Sequence, residues 1–167
     1  MKYLCLFFTL SSFASILPPN SLERPVGFSK ANITRDEFTS IIKEVEAKFN
    51  PYYDEHFDGE LMIYGAWTSN VLNAYAEKKG KRYYITLNGG IARHEAVTKD
   101  GVYLILCHEI GHHFGGAPKK SGNRWSSFEG QADYFATQKC LQRIWKTDAT
   151  EVNAPTTVSK ACAQNES

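Results

Sequence analysis

Cys107-His108-Glu109-Ile110-Gly111-His112-His113-Phe114-Gly115-Gly116 is the stretch whose reading decides the fold. Residues four apart on an α-helix lie one turn apart on the same face, so His108 and His112 aim their imidazoles at one point. Two imidazoles at that spacing suit a divalent zinc ion, and Glu109 stands beside them where it can act on a water. The approach is apolar, with Val102, Leu104, Ile105, Leu106 and Ile110, and predicts a helix that Asp100 caps. Gly115-Gly116 with Pro118 just beyond predicts its end.

A zinc site left open for chemistry takes three protein ligands. One arrangement places a third His three residues past Gly115, but that position is Pro118, which has no ligating side chain. His113 points about 100° away from His112 around the helix. The other arrangement draws a carboxylate from a following helix. Glu129 and Asp133 are again four apart, on a helix expected from about Ser127 to Trp145. Glu129 is the expected third ligand. Asp133 is expected to accept a hydrogen bond from the distal N–H of a ligating imidazole, that of His108. Ser126-Ser127-Phe128-Glu129 also reads as a capping box, which would spend the Glu129 carboxylate on the helix start. Asp133 on the same face, among Ala132, Phe135 and Ala136, favours ligation. Glu109 takes the role of general base for a metal-activated water. Tyr134, His94, Arg93 and Arg124 are candidates for stabilising an oxyanion, and no spacing selects among them.

The rest of the chain is consistent with one domain around this point. At 167 residues and 43% apolar content it is long enough to bury a core. Nineteen basic and 18 acidic residues leave a net charge of +1, with no basic block to suit nucleic acid or an anionic membrane. Lys2, the apolar run Tyr3 to Phe13, and Ser12-Phe13-Ala14 read as an export signal within residues 1–20, too short to span a bilayer comfortably. A periplasmic or extracellular location follows as the expectation. Of four cysteines, Cys5 lies in that segment. Cys107 is expected in the core, and Cys140 with Cys162 is the expected disulfide.

Residues 21–146 form the expected domain. Thr34-Arg35-Asp36-Glu37 is a capping box, followed by a helix to about Phe49 that Asn50-Pro51 ends. An acidic, aromatic loop follows over 52–59. Leu61 to Trp67 reads as a strand covered on both faces, and Arg82 to Leu87 as a second strand beside it. Thr68 to Gly80 is polar and ends in a charged turn. Ile91 to Lys99 is a polar connector. Residues 147–167 read as a weakly ordered tail.

Asn73-Ala74-Tyr75-Ala76, then Gly90-Ile91, then His108-Glu109-Ile110-Gly111-His112, then Glu129-x-x-Ala132-Asp133 resemble, in that order, the HtpX-like metallopeptidases. These are gluzincins related to the CAAX prenyl proteases, and the similarity spans residues 70–136. The resemblance implies an α+β, zincin-like fold, with a small mixed sheet packed on an active-site helix and a second helix bearing Glu129. It implies zinc on His108, His112 and Glu129, Glu109 as base, and Asn73, Ala74, Tyr75 and Ala76 beside the substrate cleft. Unlike those enzymes, the chain carries no membrane helices, and the interval from His112 to Glu129 is shorter. The expected function is hydrolysis of peptide bonds, with a peptide or protein as partner. The alternative is a metallopeptidase-like module that binds zinc and a partner without turnover.

Overall fold

The structure, a computed structural model, describes residues 22–27, 31–121 and 124–145, and the backbone of 14–15. The rest of the expected signal, Cys162 and the expected tail lie outside the described residues. In chain order the elements are β1 (Ala14–Ser15), α1 (Arg35–Phe57), β2 (Glu60–Ala66), β3 (Ala74–Lys79) and β4 (Arg82–Asn88). A short α2 (Gly89–Ala92), then α3 (Lys99–Phe114) and α4 (Glu129–Phe135) follow. A π-helical turn (Ala136–Cys140) and α5 (Leu141–Ile144) close the described chain. The architecture is mixed α+β.

The start of α1 is fixed by reciprocal bonds. The Thr34 hydroxyl accepts from the Glu37 amide at 3.3 Å, and the Glu37 carboxylate accepts from the Thr34 amide at 2.9 Å. Lys99, opening α3, also lies 2.6 Å from Glu37, so one carboxylate ties the starts of two helices. The Lys99 hydrogen bond, then the Thr34 bonds, lower its pKa to about 2.

α1 does not end at Asn50-Pro51 as expected; it continues through Pro51 to Phe57. A proline inside a helix removes one backbone bond and costs about 3 kcal/mol. Tyr53 is fully buried and Phe57 stacks on Tyr83, and burying such side chains contributes roughly 1.5–3 kcal/mol each, enough to offset it. The helix stops at Asp58, in the left-handed region at φ 46°, where its amide donates to the Asp54 carbonyl.

The sheet order is β1-β3-β4-β2. β2 and β4 are neighbours, as expected, and run parallel with Glu60 opposite Arg82. β2 is an edge strand rather than one covered on both faces: Leu61 is buried, but Met62 and Tyr64 are exposed. β3, within a stretch read as polar, joins β4 in an antiparallel hairpin through Gly80, whose φ of 60° suits a residue without Cβ. β1 adds antiparallel to the far edge of β3.

α1 lays Phe38, Ile41, Val45 and Phe49 towards the sheet residues Leu61, Ile85 and Leu87, and α3 adds Val102, Leu106 and Ile110 to the same core. The cap of α3 is Thr98, whose hydroxyl accepts from the Gly101 amide at 3.2 Å, two residues before the expected Asp100. Cys107 pairs with Cys140 and not, as expected, Cys140 with Cys162. Both cysteines are fully buried where the π-helical turn packs on α3, with their Cα atoms 5.5 Å apart.

Two outcomes follow from these ties. Cys140→Ser opens a crosslink spanning 33 residues, and denaturant unfolding should show a loss of about 3–4 kcal/mol; an unchanged midpoint would refute the pairing. Because Glu37 has a lowered folded pKa, its contribution is present above the ordinary carboxylate range and disappears as pH falls towards about 2. The melting temperatures of wild type and Glu37→Gln should differ at neutral pH and converge in acid.

Candidate metal centre

Burial and a close helix crossing place the site on α3. Residues Leu106 to His113 are buried without interruption, so the helix has no solvent face where the motif lies. On one side α4 crosses it so closely that a Cβ on Gly111 would lie 2.6 Å from the Ala132 carbonyl oxygen. Only glycine allows that approach. The crossing brings the first turn of α4 over His108 and His112.

The ring nitrogens are then fixed by what their Nδ1 atoms meet. His112 Nδ1 lies 3.0 Å from the Ser127 carbonyl oxygen, which can only accept, so Nδ1 carries the proton. The Ser127 amide in turn donates to the His112 carbonyl at 2.8 Å, locking loop to helix. His108 Nδ1 lies 2.7 Å from Asp133 Oδ1, a carboxylate that likewise accepts. With Nδ1 as the hydrogen-bonded N–H in each ring, Nε2 is the nitrogen left to present a lone pair. Burial, against the opposing Ser127 bond, lowers the pKa of His112 to about 4, so the ring is neutral at pH 7.

Those two Nε2 atoms converge on Glu129 Oε2, at 3.0 Å from His108 and 3.5 Å from His112. Lone pairs and a carboxylate oxygen this close repel unless a proton or a cation lies among them. A proton on one ring satisfies one contact; a metal cation satisfies all three. Ligands 2.0–2.1 Å from a tetrahedral ion stand about 3.3 Å from one another, which matches the spacing found. The other carboxylate oxygen of Glu129 accepts from Lys120 Nζ at 2.6 Å. Burial pushes the Glu129 carboxyl up, but Lys120 and the two imidazoles outweigh it and hold the carboxyl below its ordinary pKa. It is therefore ionised and available as a ligand.

Glu109 is fully buried beside the pair. His108, Glu109 and His112 form a buried group with one ligand atom each, all within 4.8 Å of one another, and this group can hold a metal ion.

The alternative use of Glu129 does not occur. The residue before α4 is Phe128, with no side-chain cap, and no capping box closes from Ser126. His113 lies on another side of α3, its Nδ1 2.6 Å from the Tyr53 hydroxyl, and burial followed by the His112 ring lowers its pKa to about 3. It ties α3 to α1 and takes no part in the convergence. Asn73 immediately precedes β3, and Ala74, Tyr75 and Ala76 open it; Asn73, Ala74 and Ala76 are buried and Tyr75 partly so.

The oxyanion candidates separate. Arg93 is committed to backbone, donating to the carbonyls of Trp67 and Ser69 at 2.6 Å and of Arg24 at 2.8 Å. The His94 ring accepts from the Ala96 amide at 3.2 Å. Tyr134 is exposed on α4, and Arg124 lines a cleft beyond His113. Ser127 and Lys120 were not among the expected site residues. Ser127 acts through its carbonyl, which any residue carries, and a lone lysine in a basic loop has no distinguishing spacing.

Compared with known proteins, the chain matches no family model, no curated protein and no solved structure.

Removing either carboxylate should weaken metal binding. Asp133→Asn, which leaves His108 free to choose its tautomer, should lower affinity for divalent ions roughly 10–100-fold, and Glu129→Ala by at least as much. Equilibrium dialysis with mass-spectrometric metal analysis reads both, and wild-type affinity in Glu129→Ala would remove it from the ligand set.

Proposed function

We propose that the chain is an exported zinc metallopeptidase of zincin-like fold and gluzincin type. The observation that carries this reading is the convergence of the His108 and His112 Nε2 lone pairs with a Glu129 carboxylate oxygen. The donor set of two imidazoles and one carboxylate is the one zinc takes when a further position stays open to water or substrate. A zinc ion held there supplies Lewis acidity to a scissile carbonyl and makes water easier to deprotonate.

The chain's own residues do the rest. Asp133 and the Ser127 carbonyl hold the two imidazoles in the tautomer that binds. Glu109, buried next to them, accepts a proton from the attacking water and returns it to the leaving amine nitrogen. A site that only held the fold together would close its fourth position with a Cys or His and would have no use for that carboxylate. This weighs against the binding-module reading. The Cys107–Cys140 disulfide supports an oxidising compartment and hence export. Among the described residues no helix is long and apolar enough to cross a membrane. The ordered resemblance to HtpX-like peptidases adds to the reading.

Glu109→Gln separates holding the metal from using it. The variant should bind zinc at the wild-type stoichiometry while peptide hydrolysis falls about 10²–10⁴-fold. Undiminished hydrolysis would sink the proposal for Glu109; zinc binding with no hydrolysis by the wild type would favour the binding module.

A further inference from the structure

At His113 lies a cleft of about 420 Å³ between the end of the sheet, α3 and the loop leading to α4. Its apolar walls are Phe57, Tyr83 and Trp125. Three cations, Lys78, Lys119 and Arg124, line the same space, and among the described residues no carboxylate does. Two acidic residues adjoining these segments are already engaged: Glu77, next to Lys78 in the chain, pairs with Lys79 at 3.0 Å, and Glu129 pairs with Lys120 at 2.6 Å. Among the described residues none of the three cations has a carboxylate partner. Lys119 is partly buried, and its ammonium is held by the Trp125 carbonyl at 3.1 Å and the Ser127 hydroxyl at 2.9 Å. Both are neutral groups, and burial pushes the ammonium below its ordinary pKa. A desolvated cation fixed among neutral groups, with two more beside it, is a cost to the free protein that an anion removes.

The neighbouring strand indicates what carries that anion. Ala74, Ala76 and Lys78 share one face of β3, and β3 packs on α3. The outer edge of β3 takes an extended segment antiparallel, Ala14 opposite Ala76 and Ser15 opposite Tyr75. A peptide in that register, longer by two residues at its N-terminal side, comes opposite Lys78 at the mouth of the cleft.

We propose that this cleft is an anion subsite that receives an acidic side chain of a peptide lying along β3. The binding stands on the cleft alone; the role of that peptide as substrate rests on the peptidase reading. The cations neutralise the carboxylate, and the aromatic rings cover its methylene stem.

Trp125 supplies the test, because its emission reports occupancy of the cleft. Full-length Glu109→Gln protein is titrated with acetylated, amidated hexapeptides that differ only by Glu or Gln at one position, scanned along the peptide. Competition from β1 weakens both members of a pair alike, so the ratio is the readout. At one position Glu should bind about tenfold tighter than Gln, and the preference should fall below about threefold in Lys78→Gln/Arg124→Gln. Trp125→Phe should remove the optical change. Equal binding of each pair, or no binding at all, overturns the proposal. Inorganic sulfate binding as tightly as the best peptide overturns the peptide as carrier. With wild-type protein and zinc, a Glu preference in binding without cleavage leaves the subsite standing and the peptidase reading fallen; cleavage indifferent to Glu or Gln does the reverse.

Discussion

The close crossing of α3 and α4 at Gly111 and Ala132 is the constraint on which the rest of the site depends. Each helix alone presents an incomplete set: two imidazoles on one, two carboxylates on the other. Any side chain at position 111 would push α4 outward, and the Glu129 and Asp133 contacts at 3.0 and 2.7 Å to His108 would open together. The disulfide between Cys107, one turn before Gly111, and Cys140 ties α3 to the π-helical turn that continues α4. The loop between them is anchored by mutual bonds between His112 and Ser127, so the helix crossing is fixed at three places along its length.

Electrostatically the centre is organised from outside inward. Acceptors at Asp133 and Ser127 consume the outer protons of both rings, which turns the inner nitrogens into donors of electron pairs. Glu129 faces them as an anion partly balanced by Lys120. The cleft lined by Lys78, Lys119 and Arg124 lies at His113, about 100° around the same helix from His112, so an electron-rich face and a cationic one are neighbours on α3. An interval of one residue, His112 to His113, marks the change.

Much of this was legible in the residues because local rules and tertiary packing agree there. The α3 motif, its glycine stop and the Thr34–Glu37 box needed no partner to be read. Glu129 and Asp133 were legible as a pair because their spacing repeats the helical turn. What escaped was set by distant contacts. Pro51 signals an end that buried Tyr53 and stacked Phe57 override. β3 hides its alternation behind Glu77-Lys78-Lys79, whose polar composition resembles a turn. The strand at Leu61–Trp67 is apolar enough for a doubly covered position, yet α1 packs against it while Met62 and Tyr64 stay exposed. Cys140 meets Cys107 through a π-helical turn, and a single sequence carries no sign of one. The cleft draws its cations from β3 and the 119–125 loop, which nothing in their spacing connects.

The Tyr53–His113 bond joins residues 60 positions apart, and it seats α3 against the far end of α1. For a chain made from its N-terminus, this orders the assembly in time. The scaffold of α1, sheet and α3 can settle before Glu129 and Asp133 are synthesised, since both come after the whole of α3 and after Ser127 in the chain. Donors come into register last, when α4 docks. Until then the nascent chain holds a pair of histidines without its carboxylates, and the centre is completed only once the fold that shelters it already stands.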